Sequence, residues 1–172
     1  MHKVKIAVLL AVASSFAASS AVAADPTPSP NASQVCKSIR AQVGSSAFKT
    51  TYGTNKNHKN ALGKCISANA KVISGQVKAA KSTCKAEQTA DAAAFAAKYG
   101  TNKNKKNAYG KCVSATASAS SKAHVKAVVN AAKQCKAERK ADPAAFKAKY
   151  GTNKNKKNAF GKCVSKTVKA QS

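Results

Sequence analysis

The sequence is poor in bulky apolar residues. It contains no tryptophan, one methionine, five phenylalanines and four tyrosines in 172 residues. Hydrophobic residues make up 44% of the chain, but many of them are alanines, so there is little side-chain volume to bury. A domain with so small a core is typically held together by covalent cross-links, and the six cysteines could provide them.

Acidic residues are also scarce, with five Asp and Glu against 31 Lys and Arg. An enzyme needs an acid, a base, a nucleophile or a metal ligand in a defined arrangement. Two acidic pairs recur at helical spacing, Glu87 with Asp91 and Glu138 with Asp142, and the aspartates suit helix capping. We find no catalytic arrangement, so the sequence predicts a protein that is not an enzyme and has no cofactor.

Metal and redox sites are disfavoured because the chain lacks any C-x-x-C pair. His58 stands where the other copies of a repeat, described below, have lysine, and His124 lies near an apolar stripe. His58 is therefore interchangeable with a charged residue and is not expected to be a ligand. His124 is predicted to be a packing or surface residue, and no metal site is predicted.

The chain has a single apolar run, at its start. Lys3 and Lys5 precede apolar residues 6–18, and Ala21-Val22-Ala23 fits the small-residue rule for signal cleavage. The run is shorter than the ~20 residues of a membrane span, which disfavours the alternative of a retained anchor. We predict a removed signal peptide at 1–23 and a secreted or cell-envelope-associated product. Loss of two lysines leaves 29 basic and five acidic residues, a net charge of +24.

A lysine- and asparagine-rich stretch occurs three times, at 48–65, 95–112 and 146–163. Each copy ends in a cysteine, and another cysteine lies 28 or 29 residues earlier. The predicted fold is all-α, with three tandem hairpin-like modules at a period of about 47–51 residues. The predicted segments are the signal peptide at 1–23, a Pro/Ser-rich linker at 24–33, modules at 34–67, 84–114 and 135–165, helical connectors at 68–83 and 115–134, and a basic tail at 166–172.

Each copy predicts a short helix that carries Phe and Tyr on one face at i and i+4. Asp91 and Asp142 are predicted to cap two of these helices, with Pro143 at the first helical position. The glycine after each tyrosine is predicted to end the helix in a left-handed conformation. These glycines are Gly53, Gly100 and Gly151.

The next helix of each copy is predicted to start at an asparagine cap, which would be Asn57, Asn104 or Asn155. A glycine two residues before the second cysteine lies inside this helix, at Gly63, Gly110 and Gly161. Such a glycine costs ~1 kcal/mol relative to alanine. It indicates either close backbone approach near the cysteine or simple copying of an ancestral unit.

Six cysteines in an exported chain predict three disulfides, although six allow fifteen pairings. If 66–83 is helical, Cys65 and Cys84 lie ~28 Å apart, far beyond the ~7 Å that a disulfide permits. The predicted bridges therefore lie within the modules, at Cys36–Cys65, Cys84–Cys112 and Cys135–Cys163. A sharp bend at Gly75 would weaken this argument, since Ser74-Gly75 and 114–121 are weak helix formers.

The copies also share lysines beside a predicted helix N-terminus, where backbone N–H groups and the helix dipole favour anions. We predict that these lysines bind a polyanion such as an envelope phosphopolymer, anionic lipid or extracellular DNA. The alternatives are a structural envelope protein whose charge is incidental, and a membrane-active or antimicrobial protein. The predicted binding residues are Lys56, Lys59, Lys64, Lys103, Lys105, Lys106, Lys111, Lys154, Lys156, Lys157 and Lys162.

Overall fold

The computed structural model describes residues 30–171, and every regular element in that range is an α-helix. The all-α prediction is confirmed. The predicted signal peptide and most of the predicted linker lie outside the described residues. The helices are α1 (Ala32–Val43), α2 (Ser45–Tyr52), α3 (Ala61–Ala90), α4 (Ala92–Tyr99), α5 (Ala108–Ala141), α6 (Pro143–Tyr150) and α7 (Ala159–Ala170).

Two long helices, α3 and α5, form an antiparallel hairpin. The Ser121 hydroxyl donates to Gln76 Oε1 over 2.7 Å, and Gln76 Nε2 donates to the Ser120 carbonyl over 3.2 Å. Nearer the tip, the Tyr109 hydroxyl donates to the Lys81 carbonyl over 3.2 Å. Both helices are continuous, so the bends considered at Ser74-Gly75 and at 114–121 do not form. In the second stretch the small residues Ala117, Ser118 and Ser121 are buried, whereas Ser74 and Gly75 are exposed.

The three predicted disulfides are confirmed, each with a Cα–Cα distance of 6.0 Å. Since α3 runs unbroken from Cys65 to Cys84, those two cysteines cannot pair. Each bridge closes about 30 residues, which corresponds to ~3.6 kcal/mol in the chain-entropy model. All six cysteine side chains are buried, so the bridges also fill the core.

The three copies adopt the same local structure. Each has an eight-residue helix whose phenylalanine is buried and contacts the tyrosine four residues later, with ring centroids 4.9–5.0 Å apart. The Asp91 carboxylate accepts from the Ala94 amide, and Asp142 accepts from two amides of α6, which confirms both predicted caps. The predicted module boundaries stay a prediction, because α3 and α5 run through them.

The first and third copies share one core. There α1, the first half of α3, the second half of α5 and α7 pack into a four-helix bundle, which we call the base. Its core combines Ile39 and Phe48 of the first copy with Phe146 and Phe160 of the third. The second copy has a separate small core around Phe95 and its own disulfide, at the other end of the hairpin. We call that end the tip.

The left-handed glycines were wrongly predicted. Gly53, Gly100 and Gly151 have φ between −72° and −75°, in the extended region. These positions have no space for a side chain, because an added Cβ would lie 2.6 Å from the carbonyl oxygen of the residue four positions earlier. Within the three loops that follow these glycines, the residues with left-handed φ are His58, Lys105 and Lys156, at 53–54°.

The close approach predicted at the second glycine occurs in one copy only. A Cβ on Gly161 would lie 2.7 Å from the Thr51 carbonyl oxygen, because α7 packs against α2 there. A Cβ on Gly63 or Gly110 would meet nothing within 4 Å. Copying of an ancestral unit is therefore the better account for those two positions.

Candidate functional site

Each lysine-rich loop is closed by its last asparagine. In the first loop (53–60), Asn60 Oδ1 accepts from the Thr54 amide over 3.0 Å, and Asn60 Nδ2 donates to the Thr54 hydroxyl over 2.7 Å. Asn107 and Asn158 make the same bonds in the second loop (100–107) and the third loop (151–158). These threonines and asparagines hold the loop and are not available for a ligand.

The asparagines predicted as helix caps do not cap. The following helices begin four residues later than Asn57, Asn104 and Asn155, immediately after the closing asparagines. Each predicted cap instead accepts, through its side-chain oxygen, from the amide two residues ahead. The prediction was wrong because Asn suits tight turns as well as helix starts. As a result, no side chain caps α3, α5 or α7.

Two of the predicted binding lysines have a structural contact. Lys105 Nζ donates to the Gly100 carbonyl over 2.8 Å, and Lys156 Nζ donates to the Gly151 carbonyl over 3.1 Å. His58 makes the equivalent contact to Gly53 through Nδ1, at 3.0 Å. A histidine replaces lysine here because either side chain reaches across the loop to the same carbonyl.

The first and third loops face each other across a cleft of about 600 Å³ at one end of the base. Helices α3 and α7 both start at this end, so the copies that share a core also bring their loops together. Lysine side chains stand on both walls, with Lys56 on the first and Lys157 and Lys162 on the third. Polar side chains complete the lining, including Thr54, Asn55, Asn153 and Ser165.

In the part of the chain that the structure describes, no carboxylate lines this cleft. Within residues 30–171 there are two ion pairs, Lys98–Glu87 and Lys149–Glu138, each at 2.6 Å. The remaining predicted binding lysines have no acidic partner in that range. We call six of them the base cluster and three the tip cluster. The base cluster is Lys56, Lys59, Lys64, Lys154, Lys157 and Lys162, and the tip cluster is Lys103, Lys106 and Lys111.

The two glutamates in the ion pairs stabilise the second and third copies. Glu87 accepts from Lys98 Nζ and, over 3.0 Å, from the Tyr99 hydroxyl. The hydrogen bond from Lys98 is the main cause that lowers the pKa of Glu87, and the bond from Tyr99 adds to it. The equivalent contacts with Lys149 and Tyr150 lower the pKa of Glu138. The glutamates thus hold the short helices α4 and α6 against α3 and α5. This gives them a structural function.

The first copy replaces this glutamate with Ile39, which is fully buried. Burial raises the pKa of Tyr52, and a hydrogen bond with Asn69, which replaces the glutamate as its partner, offsets part of this rise. Asn69 Nδ2 also donates to the Cys65 carbonyl over 3.0 Å, and Asn69 Oδ1 bonds His124 Nε2 at 3.0 Å. Asn69 was not singled out from the sequence as a structural residue. Its signal was that the other copies have a threonine at this position.

His124 links the first copy to α5 through Asn69. The histidine is half-buried, and burial lowers its pKa. The neutral imidazole is therefore the form that the fold favours. The prediction of a packing or surface role for His124 fits this position in the base.

None of the helices in residues 30–171 is long and apolar enough to cross a membrane. Comparisons with protein families, curated proteins and solved structures found no match to this chain.

Proposed function

We propose that this is a secreted, strongly basic protein that binds phosphate-bearing polyanions at the base cluster. The observation that carries the proposal is the convergence of the first and third loops on one cleft. Six lysines that have no carboxylate partner among residues 30–171 gather at this end, three of them in the cleft lining. Like charges repel, so bringing two such loops together costs free energy that a bound anion would offset.

The chemistry of the cleft suits phosphate. Lysine ammonium groups act as point charges that neutralise phosphates without requiring one geometry. The N-termini of α3 and α7 lie at the same end and lack side-chain caps, so their dipoles add to the positive potential. Asn55 and Asn153 contribute side-chain amides to the lining as neutral donors.

A linear polymer fits this surface better than a membrane does. The cleft is concave, with cations on both walls, and a strand can lie between them. Binding in a bilayer interface would need an apolar face, and Val72 is the one large hydrophobic residue exposed among residues 30–171. The membrane-active alternative therefore has less support than strand binding.

The test is a salt series of binding by the oxidised protein to duplex DNA, with inorganic polyphosphate and anionic vesicles in parallel. If all six lysines contact phosphates, the slope of log K against log salt is about −5.4. Affinity then falls ~2,000-fold between ~50 and ~200 mM salt. For the variant K154Q/K157Q/K162Q, we expect a slope of about −2.7 and a loss of only ~40-fold. Lys156 is left in place because it bonds the loop backbone.

The matched control is K71Q/K78Q/K126Q, which removes the same charge from exposed positions along the hairpin. We expect its slope on DNA to stay close to the wild-type value. Equal slopes for the two variants would mean that net charge alone drives binding, and affinity independent of salt would refute the proposal. Tight binding to vesicles but not to DNA or polyphosphate would favour the membrane alternative.

A further inference from the structure

The tip cluster belongs to the second loop and has no part in the base cleft. Lys103 and Lys106 are exposed on the loop, and Lys111 is half-buried one turn into α5. None of the three has a carboxylate partner within residues 30–171. The second copy therefore presents a lysine cluster of the same sequence pattern at the opposite end of the hairpin.

The two clusters are far apart on the scale of electrostatic screening. The hydrogen bond from Tyr109 to the Lys81 carbonyl places the start of α5 level with Lys81. From Asn60 to Lys81 the helix rises ~30 Å at 1.5 Å per residue. The Debye length at physiological salt is ~8 Å, so neither cluster contributes appreciably to the field at the other.

The connection between the clusters is stiff. Helices α3 and α5 are both unbroken between the base and the tip. Side-chain bonds of Gln76 tie them at mid-length, and the Cys84–Cys112 disulfide ties them at the tip. The tip therefore cannot fold back to join the base cleft, and a stiff duplex bound at the base cluster does not bend around to the tip.

We propose that the protein bridges two polyanion strands, holding one at the base cluster and a second at the tip cluster. This inference rests on the proposed function, because it requires that the base cluster binds such strands. It adds a consequence of the geometry, namely that a monomer carries two binding sites that point in opposite directions. Such a protein cross-links polyanions without forming a dimer.

A two-strand capture assay tests the bridge. A biotinylated 12-base-pair duplex is immobilised, the oxidised protein is bound, and a second, fluorescent duplex of unrelated sequence is added. We expect wild-type protein to retain the second duplex. For K103Q/K106Q/K111Q, we expect retention of the second duplex to fall at least ~10-fold. The reason is that the loss of three phosphate contacts at the tip lowers the slope of log K against log salt by about 2.7. Binding to the first duplex should change much less.

K71Q/K78Q/K126Q serves as the charge-matched control and should capture the second duplex as wild type does. Circular dichroism and peptide mapping of the Cys84–Cys112 bridge check that the tip variant is folded. Failure of the wild type to bind the first duplex would refute the proposed function itself. Binding without capture would refute only the bridge. Equal loss of first-duplex binding in the tip variant would also refute it, because one strand would then lie along both clusters.

Discussion

Replacement of Gly161 by alanine tests the contact on which the cleft depends. Helix α7 carries Gly161 and packs so closely against α2 that an added Cβ would lie 2.7 Å from the Thr51 carbonyl oxygen. Ordinary contacts of a Cβ begin near 3.4 Å, and the obstacle is backbone, which cannot swing aside. The two helices would have to separate, and the third loop would move away from the first.

Two opposing effects determine how much Gly161→Ala changes the free energy of unfolding. Alanine gains up to ~1 kcal/mol over glycine in a helix interior. Overpacking a tight contact typically costs ~1–3 kcal/mol. Gly63→Ala is the matched control, because Gly63 occupies the equivalent position in α3 of the same base and its Cβ would meet nothing. The propensity gain is common to both variants, so the free energies of unfolding should differ by ~1–3 kcal/mol.

The assay is urea unfolding of the oxidised proteins, followed by circular dichroism, with thermal melts alongside. A difference of 1 kcal/mol corresponds to ~2–4 °C in melting temperature for a chain of this size. We expect Gly63→Ala to be neutral or stabilised and Gly161→Ala to be destabilised. If Gly161→Ala is as stable as Gly63→Ala, then α7 does not lie against α2 as described, and the paired-loop cleft loses its support.

Three further predictions concern the cross-links and the titrating groups. Non-reducing peptide mapping should give Cys36–Cys65, Cys84–Cys112 and Cys135–Cys163, and a Cys65–Cys84 peptide would contradict the continuous α3. The contribution of Glu138 to stability should be complete above the pKa that this residue has in the unfolded chain, and it should be lost as the pH falls through the lowered pKa of the folded protein. Urea unfolding should therefore show that Glu138→Gln destabilises the protein at neutral pH and has little effect in strong acid. Burial lowers the pKa of His124 below its ordinary value of 6.5. The free energy of unfolding should therefore fall as the pH drops from 6.5 through the lowered pKa of the folded protein. Urea titrations of His124→Gln at several pH values should lack this pH-dependent loss of stability.

The disulfides and the short helices could be predicted because local rules determine them. The helical period between Cys65 and Cys84 excluded that pair, and confirmation required only that α3 be unbroken. The aspartate caps followed from side-chain chemistry at a known helix start. The closing asparagines were missed because each loop contains three asparagines that could each form a turn or a cap, and only the three-dimensional loop distinguishes Asn60 from Asn57.

The pairing of the first and third copies could not be predicted from the repeat itself. The copies are so similar that no residue of the loops indicates which two would meet. The residues that determine this pairing lie outside the loops. Ile39 replaces the glutamate of the other copies, and Val125, Val128 and Val129 make the second half of α5 apolar. These residues form a core only when α1 and α5 are brought together, a contact between positions about 90 residues apart in sequence.

Every disulfide joins two cysteines that are consecutive in the chain, which bears on the order of folding. When the chain emerges with its N-terminus first, Cys36 is the one partner available as Cys65 appears. Once that bridge has formed, Cys84 is in turn the one free partner for Cys112, and Cys135 is later the one for Cys163. Oxidation that keeps pace with emergence therefore yields the native bridges without reshuffling. The base core has to wait for α7, the last helix, whereas the tip can close as soon as Cys112 has emerged. The middle copy is the first part of the molecule able to finish folding.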